Sequence, residues 1–216
     1  MNLASYIDHT ILKPDCIAED VKQICTEALQ YNFYAVCVPP FFVKNASAFL
    51  NETPIKIAAA VGFPMGYSTT AAKVEEIKKA IDDGLDEVDA VINIAAVKNG
   101  NWNYVKNDIY SIIMSSQLKG KIAKVIIETC LLTTDEIKKI CELCSEMTPD
   151  FVKTSTGFNG EGATIENVQL LRSLLPEEIK IKASGGIRSK EDAIRLIEAG
   201  ANRLGSSSGV MIMNEL

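Results

Sequence analysis

One histidine, His9, stands in the 216 residues, and that scarcity largely removes metal centres and catalytic triads built on imidazole. No stretch approaches eighteen apolar residues, so no membrane-spanning helix is expected. The opening M-N-L-A-S-Y-I-D-H-T lacks the positive segment and apolar run of an export signal. A net charge of −6 has no compensating basic block, which argues against a nucleic-acid surface and makes any anion site local. The G-x-G-x-x-G dinucleotide fingerprint follows none of the candidate strands, and no Pro/Ser-rich linker, low-complexity segment or composition shift marks a domain boundary. The expectation is a soluble, cytoplasmic protein whose catalysis, if it has any, rests on lysine and carboxylate chemistry.

Six cysteines (Cys16, Cys25, Cys37, Cys130, Cys141 and Cys144) are irregularly spaced, which favours free thiols in a reducing compartment. Cys141 and Cys144 form a C-x-x-C inside the helix-patterned T-D-E-I-K-K-I-C-E-L-C, with no second ligand pair at zinc spacing. Helix packing is the better reading for them than metal or redox work.

What the chain does hold is a regular alternation of short apolar runs and longer helix-patterned segments. Strand candidates are 6–8, 33–38, 55–61, 87–94, 122–128, 151–155, 179–183 and 203–205. Helix candidates between them include 17–31, 69–83, 102–116, 133–144, 164–174 and 190–199. Thr134 or Asp135 opens one helix, Ser189 begins another with acids in its first turn, and Gly84 and Gly200 sit where C-terminal glycines belong. With 47% hydrophobic residues the chain can bury one sizeable core. Eight β-then-α units at this length predict a closed (β/α)₈ TIM barrel, one catalytic domain over 1–216, in preference to an open doubly wound sheet.

Lysines inside strands need a reason, because a buried ammonium either pairs with a carboxylate or sheds its proton. In E-V-D-A-V-I-N-I the apolar face (Val88, Ala90, Ile92, Ile94) should meet the helices, which turns Asp89 inward with Glu87, Val91 and Asn93. In I-K-I-K-A-S the same rule turns Lys180, Lys182 and Ser184 inward, Lys182 being nearer the C-terminal end than Lys180. In D-F-V-K-T-S the pattern is less clean, with Phe151 and Lys153 sharing a face. If that face is inward, Lys153, Lys182 and Asp89 converge on one dry cavity. A free lysine titrates at about 10.4, and making it substantially neutral at pH 7 takes a drop of roughly 3 units, about 4 kcal/mol, a direction in which burial and a neighbouring ammonium both push. The plain alternative is a buried ion pair that contributes architecture only. Two lysines against one carboxylate leave a charge unbalanced, which favours function. The residues alone leave open which lysine is the nucleophile.

Glycine-rich turns follow the last two strands, Ser184-Gly185-Gly186-Ile187-Arg188 and Gly205-Ser206-Ser207-Ser208-Gly209. Phosphate seats in such barrels form there, where free N–H groups attract an anion, with Arg188 able to add charge and Thr154 to Gly157 a third set of donors.

The ordered motifs I-D-H-T-I-L-K-P, A-V-C-V-P-P, V-G-F-P-M-G, D-E-V-D, K-V-I-I-E-T, F-V-K-T-S-T-G-F, I-K-A-S-G-G-I-R and R-L-G-S-S-S-G span essentially the whole chain and are specific. By them the sequence resembles the deoxyribose-phosphate aldolases, class I aldolases on a (β/α)₈ barrel. The resemblance implies reversible cleavage of 2-deoxy-D-ribose 5-phosphate to acetaldehyde and D-glyceraldehyde 3-phosphate, a step in nucleoside catabolism, with no metal and no organic cofactor. It implies that Lys153 forms the Schiff base and that Lys182 and Asp89 form a proton relay. The phosphate would rest on Gly185, Gly186, Gly205 and Ser207, with Gly157, Ser206 and Arg188 beside it. Asp8 and Thr156 match positions that touch substrate hydroxyls or order water. Cys37 matches a position near the pocket, though its own reading is a packed strand thiol.

Two departures stand out. Some relatives carry a C-terminal tail whose tyrosine reaches the site, whereas the last tyrosine here is Tyr110, so any tail-dependent step is expected to be absent or done otherwise. The stretch Phe158-Asn159-Gly160-Glu161-Gly162 varies within the family. The partners implied are phosphorylated sugars and small aldehydes, with no nucleic acid and no membrane. A homo-oligomer is left open, and the lone Trp102 suits a surface or an interface. Two other readings remain beside the first: another Schiff-base aldolase or dehydratase on the same barrel, and a silent barrel that only binds a sugar phosphate.

Overall fold

The computed structural model describes residues 2–215, and its strands hydrogen-bond in chain order into a closed parallel barrel. They are β1 (Ile7–Thr10), β2 (Ala35–Val38), β3 (Lys56–Val61), β4 (Glu87–Val91), β5 (Ile122–Ile126), β6 (Phe151–Lys153), β7 (Lys180–Ser184) and β8 (Arg203–Ser206), with β8 pairing back onto β1. Around them lie α1 (Ala18–Tyr31), α2 (Val43–Phe49), α3 (Thr70–Asp82), α4 (Ile94–Lys98), α5 (Trp102–Gln117), α6 (Thr134–Met147), α7 (Ile165–Leu174), α8 (Lys190–Glu198) and α9 (Gly209–Asn214). This is the (β/α)₈ TIM barrel that the alternation predicts, and each of the eight expected strands is found.

The strand boundaries differ at the C-terminal ends. The fourth was expected to run to Ile94 and stops at Val91, because the Asn93 side chain accepts the Ala96 N–H and starts α4. The fifth stops at Ile126 and the sixth at Lys153, since the following residues turn to build the rim of the site. Helix starts are carried by hydroxyl caps: Thr69, Thr133, Thr164 and Ser189 each accept an N–H from the first turn. Thr133, one residue earlier than expected, caps α6 in a reciprocal capping box with Glu136. Trp102 opens α5 half-buried, with the Lys139 ammonium 4.7 Å from its ring centroid.

Outward strand residues such as Val36, Val88, Val125, Val152, Ile181 and Leu204 are fully buried against the helices. Cys141 and Cys144 lie in α6, both buried and both free, so they pack the helix onto that core. At the opposite end of the barrel from the site, a repeated device joins neighbouring strands. Asp86, Asp150 and Asn202 immediately precede β4, β6 and β8, and their side-chain oxygens accept the backbone N–H groups of Ile57 in β3 (3.0 Å), Ala123 in β5 (2.9 Å) and Ile181 in β7 (2.9 Å). No described helix is long and apolar enough to cross a membrane.

Candidate active site

Period-two alternation sends one residue in two of each strand into the barrel, and seven of those side chains are both charged and buried, whereas Lys56 and Lys180 at the closed end are exposed. The alternation of Glu87 to Val91 brings in Glu87 and Asp89, as expected. The same rule acting on Ile122 to Ile126 brings in Lys124, whose ammonium lies 2.6 Å from Glu87 and 2.6 Å from Asp89. Lys153 from β6 donates to Asp89 Oδ2 at 2.7 Å, and Lys182, its register partner on β7, donates to the same oxygen at 2.7 Å. Lys182 also reaches Asp8 of β1 at 2.5 Å, and Asp8 accepts from Arg203 of β8 at 2.6 Å. Arg203 closes the circuit on Glu87 at 3.4 Å. Beneath the circuit lies the Phe151 ring, with Lys124 Nζ and the Arg203 guanidinium 5.9 and 5.4 Å from its centroid. That placement answers the uncertain face of β6: Phe151 and Lys153 both point inward.

Asp8, Asp89, Lys124, Lys182 and Arg203 are buried yet remain ionised because their opposite charges hold one another. Burial alone would raise the Asp89 carboxyl, but Lys124, Lys153 and Lys182 outweigh it and hold the carboxyl well below the usual carboxylate range. Asp8 is likewise lowered, with Lys182 and Arg203 prevailing over desolvation. Desolvation would lower Lys182, and the Asp8 and Asp89 carboxylates reverse it and raise the ammonium above its ordinary value. Lys124 is raised in the same way by Asp89 and Glu87. The cluster expected from the sequence was one carboxylate between two lysines. The structure places three carboxylates and four cations there, so one positive charge remains in excess, as the smaller count also had it.

Above the circuit opens a cavity of about 420 Å³ at the C-terminal ends of the strands, and of the seven charged residues only Lys153 lines it. Asp8, Lys182, Asp89 and Cys37 lie below, and burial pushes the Cys37 thiol up. Thr156, Gly157, Gly185, Gly186, Arg188, Gly205, Ser206 and Ser207 all line the cavity, so the glycine-rich turns meet over Lys153. The Ser206 hydroxyl ties the two turns together, donating to Ile187 O of the turn after β7 at 2.7 Å and accepting the Ser208 N–H of its own turn at 2.9 Å. Backbone contact requires the glycines. A Cβ on Gly162 would stand 2.1 Å from the Gly185 carbonyl oxygen, and one on Gly205 would stand 2.3 Å from Ser184 Oγ and 3.1 Å from Lys182 Cε.

Lys124 and Arg203 were not singled out from the sequence, although the alternation that located Asp89 also applies to I-A-K-V-I. Glu128 was missed as well. It sits beyond β5 in the left-handed region (φ 57°), buried, and its carboxylate accepts the Thr156 N–H (3.0 Å), the Thr156 hydroxyl and the Asn159 side-chain amide (2.9 Å). The wall beside α1 carries His9, whose Nε2 lies 2.6 Å from Glu27. Among the described residues no group of three or more His, Cys, Asp or Glu side chains forms a metal site.

A family model described as DeoC/LacD family aldolase matches residues 2–213. The chain is 53% identical over 215 residues to the deoxyribose-phosphate aldolase of Thermococcus gammatolerans, covering 99% of this chain and 96% of that protein. It is 50% identical to the enzyme of the same name from Streptococcus suis, covering 99% and 96%. Among solved structures, a putative deoxyribose-phosphate aldolase from Coccidioides immitis superposes with a TM-score of 0.95 at 42% identity, covering 99% of this chain and 85% of that one. A tetrameric deoxyribose phosphate aldolase from Aeropyrum pernix superposes with a TM-score of 0.91 at 30% identity, covering 98% and 89%.

Proposed function

The chain belongs to the DeoC/LacD family of aldolases, and from that premise we propose that it cleaves 2-deoxy-D-ribose 5-phosphate reversibly through a Schiff base on Lys153. The observation that carries this reading is Lys153 itself, the one member of a buried charge circuit that faces the cavity. An amine there can add to the aldehyde carbon of the open-chain sugar, and loss of water gives the protonated imine. Acetaldehyde holds two of the five sugar carbons, which puts the scissile bond between C2 and C3. The electrons of that bond pass to the imine nitrogen, giving an enamine, while the C3 hydroxyl loses its proton and becomes the aldehyde of glyceraldehyde 3-phosphate. Asp89 and Lys182, sharing a proton network with water, return a proton to the enamine carbon. Hydrolysis then frees acetaldehyde and restores Lys153.

The phosphate rests on the turns after β7 and β8, with Gly185, Gly186, Gly205 and Ser207 closest and Gly157, Ser206 and Arg188 beside them. Asp8 fixes Lys182 from below, and Thr156 meets a substrate hydroxyl or orders water. Cys37 acts as packing under the site. The reaction calls for no metal and no organic cofactor, and the barrel acts as one catalytic domain. The free thiols suit a cytoplasmic setting, and the reaction suits nucleoside breakdown. By analogy with the tetramer from Aeropyrum pernix, the chain assembles as a homo-oligomer.

Incubation with acetaldehyde, reduction by borohydride and peptide mapping tests the assignment. The expected adduct is on Lys153, and a label confined to Lys182 would contradict the mechanism. Lys153→Ala is expected to lower turnover by about 10,000-fold or more. Phosphate affinity stays near that of the parent, because the remaining six charges balance.

A further inference from the structure

The charged circuit under the cavity is a ring of six: Asp89, Lys182, Asp8, Arg203, Glu87 and Lys124, with carboxylate and cation alternating at every step. Three carboxylates and three cations make the ring neutral without Lys153. Each ring cation bridges two carboxylates, whereas Lys153 is held by Asp89 alone. A dry enclosure opposes net charge, and of the four buried cations Lys153, with its single partner, is the one whose charge the ring does not need for balance. We propose that the far arc of the ring, Glu87, Lys124 and Arg203, sets the charge of Lys153 by fixing this balance, and that its members are positioning residues for the nucleophile. The inference rests on the Schiff-base reading of Lys153.

None of the three lines the cavity, and none is bonded to Lys153. They act through Asp89 and through the field inside the barrel. The other titratable groups near this space do not disturb the count. Cys37 is kept neutral by burial, and Glu128 is engaged by Thr156 and Asn159 on the rim. Lys13, Asp20 and Arg188 line the outer cavity, where water screens them; His9 is buried in the wall beside α1 with its Nε2 2.6 Å from Glu27; and Lys180, 5.7 Å from the Phe151 centroid, is exposed to solvent at the closed end. The guanidinium of Arg203 lies over the Tyr34 ring, 3.4 Å from its centroid, which fixes it at the closed end.

The test is the pH profile of kcat/KM, whose acid limb reports deprotonation of the free enzyme's nucleophile. Glu87→Gln removes a carboxylate and should move the acid limb to lower pH by roughly one unit. Lys124→Met removes a cation and should move it to higher pH by a similar amount. The double variant removes a balanced pair and should return the limb close to that of the parent. A purely structural role predicts losses of activity with no opposed displacement and no restoration. Single variants that move the limb in the same direction, or a double variant that moves it further, would overturn the proposal. If a single variant does not fold, Arg203→Met takes the place of Lys124→Met and should raise the limb, while Arg203→Lys should leave it in place. Borohydride trapping at high pH is run on the same proteins. Label on Lys153 with unmoved limbs sinks the charge-balance proposal alone, whereas absence of label on Lys153 sinks the Schiff-base reading beneath it.

Discussion

Glu128 illustrates how one residue can shape a site without entering it. A non-glycine held at positive φ carries strain that its surroundings must offset, and three donors converge on this carboxylate to do so. Two of the three come from Thr156, next to the phosphate turns. Glu128→Ala should therefore raise KM for the phosphorylated sugar by about tenfold while changing kcat less, since each orphaned donor costs about 1–3 kcal/mol. Equal loss in kcat and KM would point to general unfolding, which a thermal melt would detect. Gly205→Ala is the sharper lesion: its Cβ would collide with Ser184 and press on the Lys182 stem, so both turnover and phosphate binding should fall. The same residues mark the limit of sequence reading. Asp89 and Lys182 were legible because alternation along a strand is strict, and Lys124 would have been found by the rule that found them. The left-handed turn at Glu128 has no such signature, because nothing in K-V-I-I-E-T announces a backbone conformation that glycine usually supplies.

Among elements, the clamps at the closed end of the barrel offer a stability test that leaves chemistry alone. Asp150 accepts both the Ala123 N–H and the Gln117 side-chain amide, tying β5 and α5 to the start of β6. Asp150→Ala should destabilise the fold by about 1–3 kcal/mol with kcat unchanged, read from urea unfolding and from turnover of the same sample. A change in kcat at unchanged stability would contradict the separation of the two ends. The expected helices of ten or more residues were all found within a few residues of their bounds, since two or more turns of periodic burial leave a pattern. α2, α4 and α9 were not expected: at 7, 5 and 6 residues they are too short to show one. The fourth and fifth strands were read too long, because the apolar residues that follow β4 and β5 continue the pattern after the backbone has left the sheet.

For the whole molecule, the buried charges set the pH range of stability. Asp8 and Asp89 titrate lower in the folded state than in the unfolded chain, so the unfolded state binds more protons between the two values. Their contribution is present above about pH 4 and is lost as pH falls below it. Lys124 and Lys182 titrate higher when folded, so their contribution is present below about pH 10.4 and is lost as pH rises beyond it. Unfolding midpoints measured across pH should form a plateau between these limits with losses on both sides, and a maximum below pH 4 would contradict the assignment. The neutral ring also constrains how such a chain diverges over time. A lone change of charge at any of its six positions is expected to alter the ionisation of the nucleophile as well as the fit of the core. Viable lineages are then expected to exchange ring members in opposite-charge couples, so that a descendant without Lys124 also lacks a ring carboxylate.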